Sequence, residues 1–167
     1  MKIAMFAACI ALGTAIPALS TTLSPAATTF LRTGASRALA NCDLEEHRCH
    51  GTKLIVLETF DGEANDVPRH AEKLSGNGIL LDVIFEFPAK PIRRHTFLIE
   101  RLELRSSRWP LAAPFRIGSS PESVLDALGE PVSRTDECWR YSDEPDDVTL
   151  CFLNRRLATV TWSFFVD

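Results

Sequence analysis

The stretch that decides the fold is residues 115–165, FRIGSSPESVLDALGEPVSRTDECWRYSDEPDDVTLCFLNRRLATVTWSFF. Ser120 and Pro121 are typical of a helix start, because a serine side chain can cap the free amides of the first turn and proline needs no donor there. Gly129 and Pro131 are typical of a helix end, since glycine takes a left-handed conformation and proline prevents continuation. The pattern therefore predicts a short helix between these two signals.

Alternating apolar residues after this helix predict three strands, over 138–142, 148–154 and 157–166. The joins between them are short, which favours two antiparallel hairpins. In the first hairpin Cys138 can lie opposite Cys151. A bridge between them would tie the two strands together.

These residues resemble the small envelope domains related to the SmpA/OmlA outer-membrane assembly lipoproteins and to β-lactamase-inhibitor-like proteins. The resemblance covers roughly a third of the chain. The residues that carry it are Gly118, Ser120, Val124, Leu128, Gly129, Pro131, Trp139, Tyr141, Phe152 and Val160. It implies a helix layered on an antiparallel sheet, and a role in binding other proteins rather than in catalysis.

The upstream half predicts three more strands, over 52–60, 78–87 and 95–106. The first is expected to end at the Asp-Gly turn signal of residues 61–62. Polar residues 65–77 are typical of a loop, with a short helix near residues 69–74 as an alternative. No second copy of the C-terminal motif precedes Trp109, so we expect no tandem repeat.

We therefore expect one α+β domain over residues 46–167, mainly an antiparallel sheet with one short capped helix packed on it and disulfide-stapled. Within it, the C-terminal helix and its three strands form a unit over residues 115–166. Residues 21–45 are rich in Thr, Ala and Ser, a composition typical of a flexible linker. A weak helix near residues 30–39 is the alternative, against which Gly34 counts.

Residues 1–20 have the pattern of a secretory signal peptide: Lys2, an apolar core and a small-x-small motif that ends at Ser20. The apolar core is shorter than the ~20 residues that a membrane-spanning helix needs. Neither Cys9 nor Cys42 follows a convincing lipoprotein motif. We therefore expect a periplasmic or secreted protein without a stable membrane span after cleavage.

Removing the signal with Cys9 leaves Cys42, Cys49, Cys138 and Cys151. An even number of cysteines in an exported chain is typical of a disulfide framework. Four cysteines allow three connectivities. We expect the local pairing, Cys42–Cys49 and Cys138–Cys151.

The segment CDLEEHRCH places Cys42, His47, Cys49 and His50 within nine residues. Thiolate and imidazole groups bind zinc and copper, so a metal site is an alternative to the disulfide there. Export favours the disulfide, because an oxidising compartment converts thiols to disulfides.

The sharpest candidate for partner binding is the acidic turn between the first two C-terminal strands: Asp143, Glu144, Asp146 and Asp147. Four carboxylates on one turn could enter a positively charged cleft. The alternative is a solvated turn that prevents edge aggregation.

Trp139 and Tyr141 are further candidates. They share one face of their strand and therefore either pack under the helix together or contact a partner together.

Five arginines make the middle region locally basic: Arg93, Arg94, Arg101, Arg105 and Arg108. They either form a patch for an acidic partner or, as we prefer, belong to a solvated sheet face with cross-strand ion pairs.

The net charge of −4 argues against nucleic acid as a partner. No nucleophile motif and no metal-hydrolase pairing occurs in the sequence, and no cofactor is indicated. We expect an exported, non-enzymatic protein-binding domain, of an inhibitor or immunity type that neutralises an envelope or secreted enzyme. The alternatives are an envelope assembly protein of the SmpA/OmlA type and a metal-binding protein that uses residues 42–50.

Overall fold

A computed structural model describes residues 22–64, 67–86 and 96–164. The helices and strands in chain order are α1 (Pro25–Ala38), β1 (Cys42–Asp43), β2 (Arg48–Cys49), β3 (Thr52–Lys53), β4 (Ile55–Ala64), β5 (Val67–Gly76), β6 (Ile79–Glu86), β7 (Thr96–Leu104), α2 (Pro121–Leu128), β8 (Ser133–Arg134), β9 (Cys138–Asp143), β10 (Asp146–Leu153) and β11 (Arg156–Ser163).

The main layer is an eight-stranded antiparallel sheet in the order β4-β5-β6-β7-β11-β10-β9-β8, and β1, β2 and β3 form a small sheet of their own. The eight strands make two four-stranded meanders that meet where β7 pairs with β11. A helix precedes each meander along the chain: α1 precedes β4–β7, and α2 precedes β8–β11. Both halves therefore have the order helix then four strands, although the Gly-Ser helix motif of the C-terminal half occurs only once in the sequence. The expected α+β class with a mainly antiparallel sheet is confirmed.

The α2 helix has the ends that the sequence predicts. The Ser120 side chain accepts a hydrogen bond from the backbone N–H of Ser123 at 3.3 Å, and Gly129 closes the helix with φ of 76°. Val124 and Leu128 bury its apolar face. The hydroxyl of Tyr141 donates to the Gly129 carbonyl at 2.9 Å, which ties the helix end to the sheet.

The expected linker at residues 21–45 is wrong, because α1 occupies most of it. Ser24 caps this helix by accepting from the N–H of Ala27, and its hydroxyl also donates to Leu128 at the end of α2. Phe30 is buried and packs against the rings of Phe115 and Trp162, with ring centroids 5.3 and 5.2 Å away. The segment is therefore part of the core.

Gly34, which counted against a helix, is where α1 approaches the sheet most closely. A Cβ atom at this position would lie 2.6 Å from Cζ2 of Trp162, whose ring is fully buried. Only glycine leaves room for the indole. Glycine is a poor helix former, but at this position it allows α1 to pack directly on Trp162.

The expected loop at residues 65–77 is also wrong: residues 67–76 form β5, a strand in place of the expected loop or short helix. Its polar side chains face charged partners across the strands, with Lys73 opposite Asp82 and Arg69 opposite Glu86. These pairs replace the apolar alternation that normally marks a strand. The expected turn at Asp61 is wrong as well, since β4 continues past it to Ala64.

The expected strands at 78–87 and 95–106 are present as β6 and β7. Leu81 and Leu102 lie opposite each other in the core. On the other face Glu103 is buried between the guanidinium groups of Arg101 and Arg105. Arg101 and Arg105 thus belong to ion pairs on the sheet face, but these pairs run along β7 and not across strands as expected. Arg93 and Arg94 lie outside the described residues.

Both disulfides join the expected partners. Cys138 lies opposite Cys151 in the β9–β10 ladder, and Cys42 lies opposite Cys49 in the β1–β2 ladder. Within the described ranges no helix has the length and apolar character needed to cross a membrane. The predicted signal peptide lies outside the described residues.

Candidate partner-binding surfaces

The acidic turn lies at the tip of the β9–β10 hairpin, where half of its carboxylates already have partners. Arg32 of α1 contacts Asp143 at 2.7 Å, and Arg140 contacts Asp147 at 3.0 Å. Exposed pairs of this kind contribute only ~0–1 kcal/mol, but they neutralise charge that a partner would otherwise meet. The turn therefore offers less negative charge than its sequence indicates.

Trp139 and Tyr141 are not a contact face for a partner, because both side chains are buried. Trp139 packs on the ring of Phe152 at 4.7 Å, and the guanidinium of Arg134 lies over it at 4.8 Å. Burial raises the pKa of the Tyr141 hydroxyl well above its usual value. Of the two arrangements left open by the sequence, the structure has the one in which both residues pack inside.

The cysteines and histidines of residues 42–50 do not all lie together: three of them are close to one another, and His47 has a different partner. Atoms of Cys42, Cys49 and His50 that could ligate a metal lie within 4.8 Å of one another, but both sulfurs belong to the disulfide. His47 lies apart from them and contacts Glu72 at 2.8 Å. A disulfide offers no thiolate, so the oxidised cluster lacks the ligands that favour zinc.

The feature that sequence reasoning missed is the edge of the sheet at β4, called here the β4 edge (Ile55–Ala64). In the described part of the chain this strand pairs only with β5. It carries four exposed large apolar side chains, with exposed fractions of 40 to 71%: Ile55, Val56, Leu57 and Phe60. A long, apolar, unpaired edge strand is a template for another strand.

The opposite edge of the same sheet is different. It is formed by β8, which has two residues, Ser133 and Arg134, against ten in β4. Short edge strands limit strand addition, and that protection is absent from β4. Within the described ranges the two edges are therefore unequal, and β4 presents the longer row of backbone groups without a strand partner.

The side chains next to the β4 edge form fixed charge pairs. Glu58 contacts Lys73 at 2.7 Å, which lowers the pKa of the Glu58 carboxyl and raises that of the Lys73 ammonium. Cross-strand registers continue this row through Asp82 on β6 to Arg101 on β7, so the signs alternate across four strands. The row lies on the open face of the sheet, where Phe60 borders two open clefts of about 490 and 270 Å³.

On the other face a chain of titratable groups anchors β4 to β5. His70 lies between Asp61 at 2.5 Å and Glu72 at 3.1 Å, and Glu72 also contacts His47. The hydrogen bond to Asp61 is the main reason that the pKa of His70 is raised. The two ring nitrogens of His70 thus have different carboxylate partners. These two contacts fix the orientation of the ring and leave neither nitrogen free to bind a metal ion.

Comparison with protein-family models, with curated proteins and with solved structures found no match. The resemblance stated above therefore stays a prediction, and function is argued from the surfaces just described.

Proposed function

We propose that the chain is an exported, non-enzymatic protein-binding domain that engages its partner through the β4 edge. The observation that carries this proposal is the ten-residue edge strand, which within the described ranges pairs on one side only and has exposed apolar side chains. Natural sheets normally shorten, charge or cover such an edge, because it promotes association. The β4 edge carries three acids and a bulge, yet it keeps four exposed large apolar side chains, which supports a partner that covers them.

The two disulfides support a periplasmic or secreted location, since such bonds persist in oxidising compartments. The sequence has no nucleophile motif with a neighbouring base, which supports binding rather than catalysis. These features and the predicted resemblance support an inhibitor or immunity-type role, in which the partner is an envelope or secreted enzyme.

Site-specific photo-crosslinking in the producing cell tests this proposal. A photoreactive phenylalanine analogue at Phe60 on the β4 edge is compared with the same analogue at Leu153, which is equally exposed on β10. We expect a protein adduct at position 60 and none at 153. The Phe60→Ala variant should lose the partner in co-purification, whereas the Leu153→Ala variant should keep it.

Equal adducts at both positions, or none at position 60, would overturn the proposal. The identity of the adduct separates the roles. An enzyme supports neutralisation, and an outer-membrane assembly component supports the SmpA/OmlA-type alternative.

A further inference from the structure

The backbone of the β4 edge can accept a strand over residues 58–64, beyond the β-bulge at Leu57 that interrupts its ladder with β5. In an antiparallel ladder every second residue of an edge strand directs its N–H and C=O groups away from its neighbour. Over residues 58–64 these outward groups have no strand partner in the described part of the chain. Main-chain hydrogen bonds would therefore supply affinity, and the β4 side chains would decide which strand fits.

The β4 side chains have a single sign of charge. The strand IVLETFDGEA contains Glu58, Asp61 and Glu63 and no basic residue. Glu58 is already paired with Lys73. Asp61 shares His70 with another carboxylate, and no ion pair is formed by Glu63 within the described ranges. The negative charge available to a newcomer is therefore concentrated at Asp61 and Glu63.

The pleat separates this charge from the apolar surface. The register places Asp61 opposite His70 on one face, and Phe60 opposite Ala71 on the other. Glu63 is two residues from Asp61 and shares its face. An incoming strand would thus meet carboxylates on one side and the exposed Phe60 ring on the other.

A second copy of the chain fits this edge poorly. Pairing β4 with another β4 would bring three acids from each strand together with no basic residue on either. Like charges across a ladder destabilise it. The edge is therefore better suited to a different protein than to self-association.

From these observations we infer that the β4 edge binds an extended protein segment whose basic side chains alternate with apolar ones. The inference rests on the proposed function and specifies the chemistry of the partner. Basic residues lie against Asp61 and Glu63, and apolar residues cover Phe60 on the open face.

The test uses a synthetic peptide of about eight residues that alternates lysine and valine, a length matched to a typical strand. Its binding to the full chain is measured by fluorescence anisotropy. One control peptide alternates glutamate and valine. A second keeps the lysines and valines but carries N-methyl groups on alternate amides, which removes the donors that a ladder needs.

We expect the lysine–valine peptide to bind, with both control peptides at least about tenfold weaker. The double variant Asp61→Asn/Glu63→Gln should weaken binding by about tenfold, since two exposed charge pairs are lost. The variant Asp146→Asn removes an acid from the β9–β10 hairpin tip and should bind as the unmodified chain does. Unchanged far-UV circular dichroism spectra confirm that both variants fold, since Asp61→Asn also removes the partner of His70 and should lower the melting temperature.

Each contrary result overturns a defined part of the inference. Equal binding of the glutamate peptide removes the charge preference, and equal binding of the N-methylated peptide removes strand addition. A stable dimer with a cross-link between Phe60 positions assigns the edge to a second copy. If the Phe60 adduct forms in cells but the peptides do not differ, the proposed function stands and this inference fails.

Discussion

Replacing Gly34 by alanine tests whether residues 25–38 are a core helix, because two effects of opposite sign compete there. In an exposed helix, alanine in place of glycine stabilises by ~1 kcal/mol. Here the new Cβ would lie 2.6 Å from Cζ2 and 3.1 Å from Cε2 of Trp162. The indole ring is fully buried, so either the ring or α1 must move to relieve this overlap. Overpacking of this kind costs ~1–3 kcal/mol, and the short distance places the cost near the upper end.

We therefore expect Gly34→Ala to destabilise the protein by about 1–2 kcal/mol net, which lowers the melting temperature by roughly 2–8 °C. Thermal and urea unfolding followed by circular dichroism measure this. Ser36→Ala on the exposed side of the same helix is the control and should be neutral or slightly stabilising.

A double-mutant cycle with Trp162→Phe locates the cause. The smaller ring removes the atoms nearest to the new Cβ, so the Gly34→Ala cost should shrink in that background by ~1 kcal/mol or more. Stabilisation by Gly34→Ala alone would refute the reasoning, since it would mean that residue 34 is not packed on Trp162.

Three further predictions concern the core, the histidine and the hairpin. Phe30→Ala should cost ~3–5 kcal/mol in urea unfolding, whereas Arg37→Ala on the exposed face should cost little; equal costs would contradict a packed α1. The stabilisation that His70 gains from its aspartate partner should be complete below its ordinary pKa of 6.5 and lost as pH rises through its raised folded-state pKa. The melting-temperature difference from His70→Gln should therefore be largest near pH 5.5 and shrink above neutrality, and a pH-independent difference would count against this. Replacing Cys138 and Cys151 by serine should cost ~3 kcal/mol, with a loss below ~1 kcal/mol as the contrary result.

The C-terminal unit could be predicted because its signals are local. Ser120 and Gly129 specify the ends of α2 from their immediate neighbours, and alternation specifies β9, β10 and β11. The pairing of Cys138 with Cys151 then follows from a short hairpin. None of these features depends on distant parts of the chain.

The N-terminal helix could not be predicted from composition, although one signal was present. Ser24 and Pro25 repeat the serine–proline start that marks α2 at Ser120 and Pro121. The Thr- and Ala-rich composition of residues 21–45 favours a linker in spite of this helix-start signal, and Gly34 disfavours a helix. The contact that makes Gly34 necessary is with Trp162, 128 residues away in the chain, so local rules could not reveal it.

The candidate site was missed for a related reason. The sequence indicates that residues 52–60 form a strand, but the position of a strand within a sheet depends on pairings elsewhere. The polar residues of β5 hide the period of a strand, so the sequence predicts a loop there. Without β5, the neighbour of β4 and its open side could not be identified.

The aromatic pair shows what strand period alone can decide. Alternation correctly placed Trp139 and Tyr141 on one face, but it does not say whether that face is covered. Tyr141 is covered where the end of α2 accepts its hydrogen bond at Gly129, whereas Trp139 lies against Phe152 and Arg134.

The most direct test of the central claim is amide hydrogen exchange of the full chain, with and without the lysine–valine peptide. We predict that exchange slows in residues 55–63 of β4 and stays unchanged in residues 143–147 at the hairpin tip. Protection at the hairpin tip without any change in β4 would contradict the claim that the β4 edge is the binding surface.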